Sequence, residues 1–203
     1  MVLEHRVDPA KILLITFTRK AAGEMKERLN HALGQMGEGV MVGTFHSVSL
    51  MMLREEPDAY GRRGSPSVWD ENTVEREVRK LRKEIVGPLY GDDAVHTTWE
   101  PMAPLKVLFD HKEKGAAYPD PVLDKRLLAA FGVHGVQLVE SFEDSKRMSN
   151  AWTFDDLVWL IVRRSFVDPA FSQQLAARWS HVIVDEYQDT NELQEWLLRA
   201  LCR

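Results

Sequence analysis

The sequence predicts an α/β fold, a parallel sheet interrupted by an all-helical subdomain, and three observations point to it. Apolar, β-rich runs occur at 11–18, 40–45 and 182–184, and each leads into a stretch with helical spacing. Between 67 and 151 apolar residues recur at helical spacing with no strand signal. The last run, Val182, Ile183 and Val184, fits a strand buried on both faces and stops at two adjacent carboxylates, Asp185 and Glu186. Those acids therefore stand at the carboxyl end of a strand, the edge where open α/β sheets bind ligands.

Composition sets the outer limits. With 203 residues, 44% apolar and 28% charged, the chain is large enough for a real core in one or two domains. No stretch reaches the roughly 18 consecutive apolar residues of a membrane span, and the opening MVLEHRVDPA lacks the apolar core of a signal peptide. A cytoplasmic location is expected. The single cysteine, Cys202, excludes an intramolecular disulfide and a cysteine-based zinc cluster. A net charge of -5 argues against a globally basic nucleic-acid binder and leaves such binding to local sites.

Lys11 to Thr18 reads as a buried strand, and Thr18 can cap a helix carrying Ala22, Met25, Leu29 and Ala32 or Leu33 that stops at Gly34. The turn offers the hydroxyls of Thr16 and Thr18 and the cations Arg19 and Lys20 beside a helix N-terminus, which suits phosphate. A well-capped surface helix with solvated cations fits the same residues. After a glycine-rich turn, GQMGEG, the strand Val40 to Phe45 ends in GTFHS before a helix from Val48 to Leu53. Thr44, His46 and Ser47 thus repeat the geometry, and both units present polar groups along one edge of one parallel sheet. His46 suits a contact to nucleic acid, a helix cap or a core group with satisfied hydrogen bonds.

Residues 55–67, EEPDAYGRRGSPS, form a Gly- and Pro-rich boundary. Asp70 or Thr73 starts a helix with Val74, Val78, Leu81 and Ile85 on one stripe and Glu75 paired with Arg79. A Pro/Gly-broken loop leads to a helix from Leu105 to about Lys114, ended by Gly115. Asp120-Pro121 opens another that ends at Gly132, and a last one spans Val136 to Met148. Arg79, Lys80, Arg82, Lys83, Lys112 and Lys114 form either a DNA path or a solvated surface. The expected division is 1–66 and 152–203 for the sheet-bearing core, with 67–151 as the insert.

From Thr153 the α/β pattern resumes. Thr153 and Asp156 have capping-box spacing, which gives the doublet Asp155-Asp156 a structural explanation. Asp168-Pro169 starts a helix that delivers the chain into the acidic strand, after which Asn191 can cap a helix with Leu193, Leu197 and Leu201 inside. Asp-Glu after an apolar strand suits nucleotide hydrolysis, one acid for Mg²⁺ and its neighbour for the attacking water. An exposed acidic turn fits the two acids as well.

Three strings coincide in order and spacing: ITFTRKAAGEM (15–25), VGTFHSVSLMMLR (42–54) and VIVDEYQDTNELQ (182–194), with TFDDLV (153–158) before the last. Together they resemble the UvrD/Rep type of superfamily 1 DNA helicases over 8–54 and 152–203. The resemblance implies a P-loop NTPase (RecA-like) sheet with a helical insert, ATP and Mg²⁺ as cofactors, single-stranded DNA as partner, and 3′ to 5′ translocation driven by ATP hydrolysis. It assigns Asp185 to Mg²⁺, Glu186 to the hydrolytic water, and Gln188 to sensing the γ-phosphate and linking hydrolysis to DNA. Thr16, Phe17, Thr18 and Arg19, with Thr44, Phe45 and His46, become contacts to single-stranded DNA. The family pattern usually has Asn where Arg19 stands and Asp in place of Thr153.

One departure is larger. A Walker A loop reads G-x-x-x-x-G-K-[ST], and no glycine in these 203 residues is followed by lysine. Family members carry that loop upstream of the first matched string, and a second RecA-like domain completes their nucleotide site. The sheet is therefore expected to be incomplete at its N-terminus, the isolated chain to be inactive, and an apolar sheet edge to invite self-association. The same strings also fit a single-strand-binding module without ATPase activity or the helicase portion of a helicase-nuclease.

Overall fold

The structure is a computed structural model that describes residues 7–94 and 99–202, the side chains of 88–94 excepted. In chain order its elements are β1 (Ile12–Thr16), α1 (Arg19–Leu33), α2 (Gln35–Glu38), β2 (Met41–Thr44), α3 (Phe45–Glu55), β3 (Ser67–Trp69), α4 (Glu71–Ala94), α5 (Ala103–Glu113), α6 (Pro121–Met148), β4 (Ala151–Thr153), α7 (Phe154–Val167), α8 (Pro169–Arg178), β5 (His181–Val184) and α9 (Glu192–Leu201). Two compact units divide the chain, Met1–Leu53 with Leu160–Arg203, and Arg54–Trp159. The opening residues 1–6, where the sequence shows no signal peptide, lie outside the described residues.

In the first unit the sheet runs β2-β1-β5, all parallel. β1 is central and buried at all five positions, as an unbroken apolar run demands. β5 is different. It pairs with β1 alone among the described residues, Val182 and Val184 are only partly covered, and Ile183 is 39% exposed. The expected burial on both faces fails because β5 is an edge, which composition cannot reveal.

Local signals hold more firmly. The Thr18 hydroxyl accepts from Ala21 N at 3.1 Å to cap α1, and Gly34, at φ 56°, ends it in the left-handed region. The glycine-rich turn closes into the short α2, where Lys26 Nζ donates to the carbonyls of Gly37, Glu38 and Val40 at 3.1, 2.9 and 2.9 Å. Asp168 caps α8 through Phe171 N at 3.0 Å. α9 opens on a complete capping box between Asn191 and Gln194 and buries Leu193, Leu197 and Leu201.

In the second unit Asp70, not Thr73, caps α4, accepting from Thr73 N at 2.8 Å. α4 continues to Ala94, straight through Gly87-Pro88 where a loop is expected; residues 95–98 of that loop lie outside the described residues. α6 is broken at Gly132, at φ 68° and ψ -167°, so it is two helices where the sequence expects two. The stripe Val74, Val78 and Leu81 packs with Leu105, Leu108, Leu127, Leu138 and Phe142 into one core.

The unit is not all-helical, however. β3 and β4 pair in parallel, Ser67 with Ala151 through Trp69 with Thr153. Arg62, 7% exposed, donates from Nε to Ala151 O at 2.8 Å, and Asn150, at φ 49°, exchanges two hydrogen bonds with the backbone of Arg63. These ties draw 54–66 into the unit, which also takes the first turns of α7 and so exceeds the expected bounds of 67–151. Three-residue strands are too short to show a period. Among the described residues no helix is long and apolar enough to cross a membrane.

Candidate functional site

Register decides where the polar residues of the first unit lie. β1 pairs Thr16 with Thr44 on one side and Ile15 with Val184 on the other, and Asp185 N donates to Ile15 O at 2.9 Å. Thr44, Thr16 and Asp185 therefore stand level at the carboxyl ends of three adjacent strands, a row about 10 Å wide. α1 and α3 both start from this edge.

The five residues after β5, 185–189, form a tight turn. Glu186 adopts φ 50° and ψ 44°, a left-handed conformation that costs a non-glycine residue about 1 kcal/mol. Strain of that kind persists where the surroundings fix it, and functional sites are where it collects. Gln188 Nε2 donates to Glu186 Oε2, and the Tyr187 hydroxyl donates to the Glu195 carboxylate. The latter bond pushes the Tyr187 phenol up and, with Arg199, holds Glu195 below the usual carboxylate range. Asp185 is half-buried, and no hydrogen bond or ion pair is found for its carboxylate among the described residues.

The two threonine turns divide into supports and surfaces. Thr16 is fully buried and its hydroxyl donates to Thr18 O at 3.1 Å, while Phe45 is 1% exposed with its ring 5.5 Å from that of Phe17. Direct side-chain contact with DNA from Thr16 or Phe45 needs surface that neither presents. Thr18, Arg19 and His46 are exposed and Phe17 is half-buried, so these carry the accessible chemistry. Thr44 caps α3: its Oγ1 accepts from Ser47 N at 3.2 Å, and its own N donates to Ser47 Oγ at 2.8 Å. His46 and Ser47 thus belong to the first turn of α3, which starts at Phe45 and not at Val48.

Gly43 makes that junction possible. A Cβ there would stand 2.7 Å from Ser47 Oγ and 3.1 Å from Val48 Cγ2. Gly43→Ala is expected to destabilise the chain by about 1–3 kcal/mol through overpacking, read as a lower urea midpoint at unchanged m. Sequence reading missed this glycine, although a small residue immediately before a strand-to-helix junction is the available signal.

The string TFDDLV serves the second unit. Asp156, 2% exposed, accepts from Thr153 N at 2.9 Å, half of the expected capping box, and the Thr153 hydroxyl has no hydrogen-bond partner. Asp156 also receives Lys112 Nζ at 2.7 Å and Lys146 Nζ at 2.6 Å, and Glu143 receives the same ammoniums at 2.6 and 3.0 Å. Burial opposes its charge, but the two ammoniums outweigh it and hold Asp156 far below the usual carboxylate range. Lys112 is therefore neither a DNA contact nor solvated, and Arg82 is likewise buried, against the ring of Trp99.

The family model described as the UvrD/REP helicase N-terminal domain matches residues 1–203. The chain belongs to that family. Among curated UvrD/REP relatives, the ATP-dependent DNA helicase UvrD1 of Mycobacterium leprae is 31% identical over 207 residues, covering 99% of this chain and 25% of that helicase. The ATP-dependent DNA helicase PcrA of Bacillus subtilis is 27% identical over 202 residues, covering 99% of this chain and 26% of PcrA. This UvrD/REP chain spans about a quarter of the length of the curated relatives it matches.

The donor set fits the metal such a site implies. Among the described residues no group of three or more His, Cys, Asp or Glu side chains is placed to hold a metal ion. Mg²⁺ does not need one, since it keeps several waters and takes one or two carboxylates plus substrate phosphates. The hard oxygens of Asp185 suit that mode.

Proposed function

We propose that this chain supplies the single-strand grip and the metal- and water-handling acids of an ATP-dependent DNA helicase. The level row of Thr44, Thr16 and Asp185 carries this reading, because it sets the acids and the DNA-facing turns along one sheet edge. Mg²⁺, when bound with ATP, neutralises charge on the phosphates. Asp185 would hold it. Glu186 orients the attacking water and takes its proton, and Gln188 fixes the Glu186 carboxylate through the hydrogen bond between them while sensing the γ-phosphate. At the other end of the row Thr18, Arg19 and His46 meet the phosphate backbone at two helix N-termini, and Phe17, braced by the buried Phe45, offers its ring to a base.

A titration of the 203-residue chain with labelled oligonucleotide tests the grip. Single strands are expected to bind, less tightly as salt rises, and Arg19→Ala is expected to flatten the salt dependence by close to one counterion. Binding that ignores salt and Arg19 removes the assignment. These residues contain no Walker A loop, so the chain by itself is expected to hydrolyse no ATP. DNA-stimulated turnover that disappears in Glu186→Gln would overturn that expectation.

The outer side of β5, with Ile183 exposed and Val182 and Val184 partly covered, supports a second property, self-association through the sheet edge. Sedimentation across a wide concentration range is expected to show dimers or larger species that Ile183→Lys suppresses. A monomer at every concentration refutes it.

A further inference from the structure

A cavity of about 440 Å³ opens on the second unit, bounded by the start of α4, by α5 and by the β4–α7 junction. Its volume is in the range of small-ligand sites. Trp69, Met102 and Phe109 supply apolar wall, and four carboxylates, Glu71, Glu75, Glu100 and Asp155, face one ammonium, Lys106. The charges are not equally engaged. Lys106 pairs with Glu100 at 2.9 Å and Glu75 with Arg79 at 3.4 Å, whereas neither Glu71 nor Asp155 enters an ion pair among the described residues. The cavity also meets Thr153, 1% exposed, whose hydroxyl is buried without a hydrogen-bond partner. Native interiors rarely leave such a group unsatisfied, and binding sites are one place where they do.

We propose that this cavity binds an aliphatic organic cation, an ammonium or guanidinium group on a short hydrocarbon stem. The chemistry of the lining selects it. An anion meets two uncompensated negative charges, and a wholly apolar ligand leaves Glu71 and Asp155 without a partner. A hydrated metal ion leaves the apolar wall of Trp69, Met102 and Phe109 uncovered. An alkyl cation satisfies both halves of the wall: its stem covers Trp69 and Phe109, its charge faces the two uncommitted carboxylates, and the indole face adds a cation–π contribution. Such a group comes either from a free diamine or from an arginine or lysine side chain of a partner polypeptide.

Tryptophan fluorescence of the 203-residue chain tests the site, with butane-1,4-diamine, N-acetyl-arginine amide and uncharged N-acetyl-norleucine amide as probes. Saturable quenching by at least one cation, absent in Trp69→Phe, is expected. Binding at least tenfold tighter for the diamine marks a free amine as the source, and the reverse marks a side chain; either supports the proposal. Glu71→Gln with Asp155→Asn is expected to weaken the cation about tenfold, roughly threefold for each carboxylate. Both positions are exposed, so an unchanged circular-dichroism melt shows that the fold survives. Norleucine amide binding as tightly as the cations, quenching that persists in Trp69→Phe, affinity indifferent to the double substitution, or no saturation overturns it.

Discussion

Asp156→Asn is expected to unfold or nearly unfold the second unit, at a cost of about 3–5 kcal/mol. The substitution keeps the shape and can still accept from Thr153 N, but it removes half of the negative charge that compensates two buried ammoniums. Lys112 is 0% exposed and Lys146 1% exposed, so neither can turn to water without opening the core. Glu143 alone would face both, at 2.6 and 3.0 Å. The loss is measured by urea unfolding. Adding Lys112→Met and Lys146→Met to Asp156→Asn is expected to recover stability, because an apolar replacement of a whole buried network costs far less than breaking it. If Asp156→Asn alone changes stability by less than about 1 kcal/mol, the network is not what fastens α5 and α6 to the start of α7.

The same network fixes a pH dependence. The folded Asp156 sits below its unfolded value of about 3.9, so its contribution is fully present above that pH and is lost as pH falls towards the folded value. The stability difference between the parent chain and Asp156→Asn should therefore be flat from about pH 7 to pH 5 and shrink only below about pH 4. The alkaline side is less informative. Burial opposes the charge on Lys112, but Asp156 and Glu143 outweigh it and push Lys112 up; burial prevails at Lys146 and pushes it down. Their effects on stability oppose each other there.

What the sequence announces and what it conceals divide by the range of the interaction. Thr18, Asp70, Asp120, Asp168 and Asn191 each cap a helix through a backbone N–H two or three residues away, and Gly34 and Gly132 break helices by their own dihedrals. Such signals are contained in a few consecutive letters, and so is the order of the three sheet strands and the helices that follow them in the first unit. Burial of Lys112 and pairing of β3 with β4 join residues far apart in the chain, and nothing near Lys112 in HKEKG distinguishes it from the exposed Lys114. The site shows the same division. Asp185 and Glu186 follow their strand visibly, but the burial of Thr16 and Phe45 and the exposure of Ile183 depend on which strand lies beside which. Resemblance supplied roles for Thr16, Phe45, Asp185 and Glu186 alike; packing separates those that can touch a ligand from those that hold the others in place.

In an ATP-hydrolysing helicase that contains these 203 residues, Glu186→Gln is expected to lower kcat by about 10²–10⁴-fold with little change in KM. The amide is the same size and holds the same turn, but it can take no proton and accepts more weakly from water. Gln188 gives the reading a sharper test. Among the described residues its side chain bonds within the site to Glu186 alone, so Gln188→Ala should act largely by letting that carboxylate drift, costing about tenfold in kcat. Two residues that act through one bond are not additive. Gln188→Ala added to Glu186→Gln should therefore lose little further activity, whereas Asp185→Asn should instead raise the Mg²⁺ concentration needed for half-maximal turnover. A Gln188→Ala penalty that persists undiminished in the Glu186→Gln background would separate the two side chains and leave Gln188 acting on the phosphate or on DNA alone.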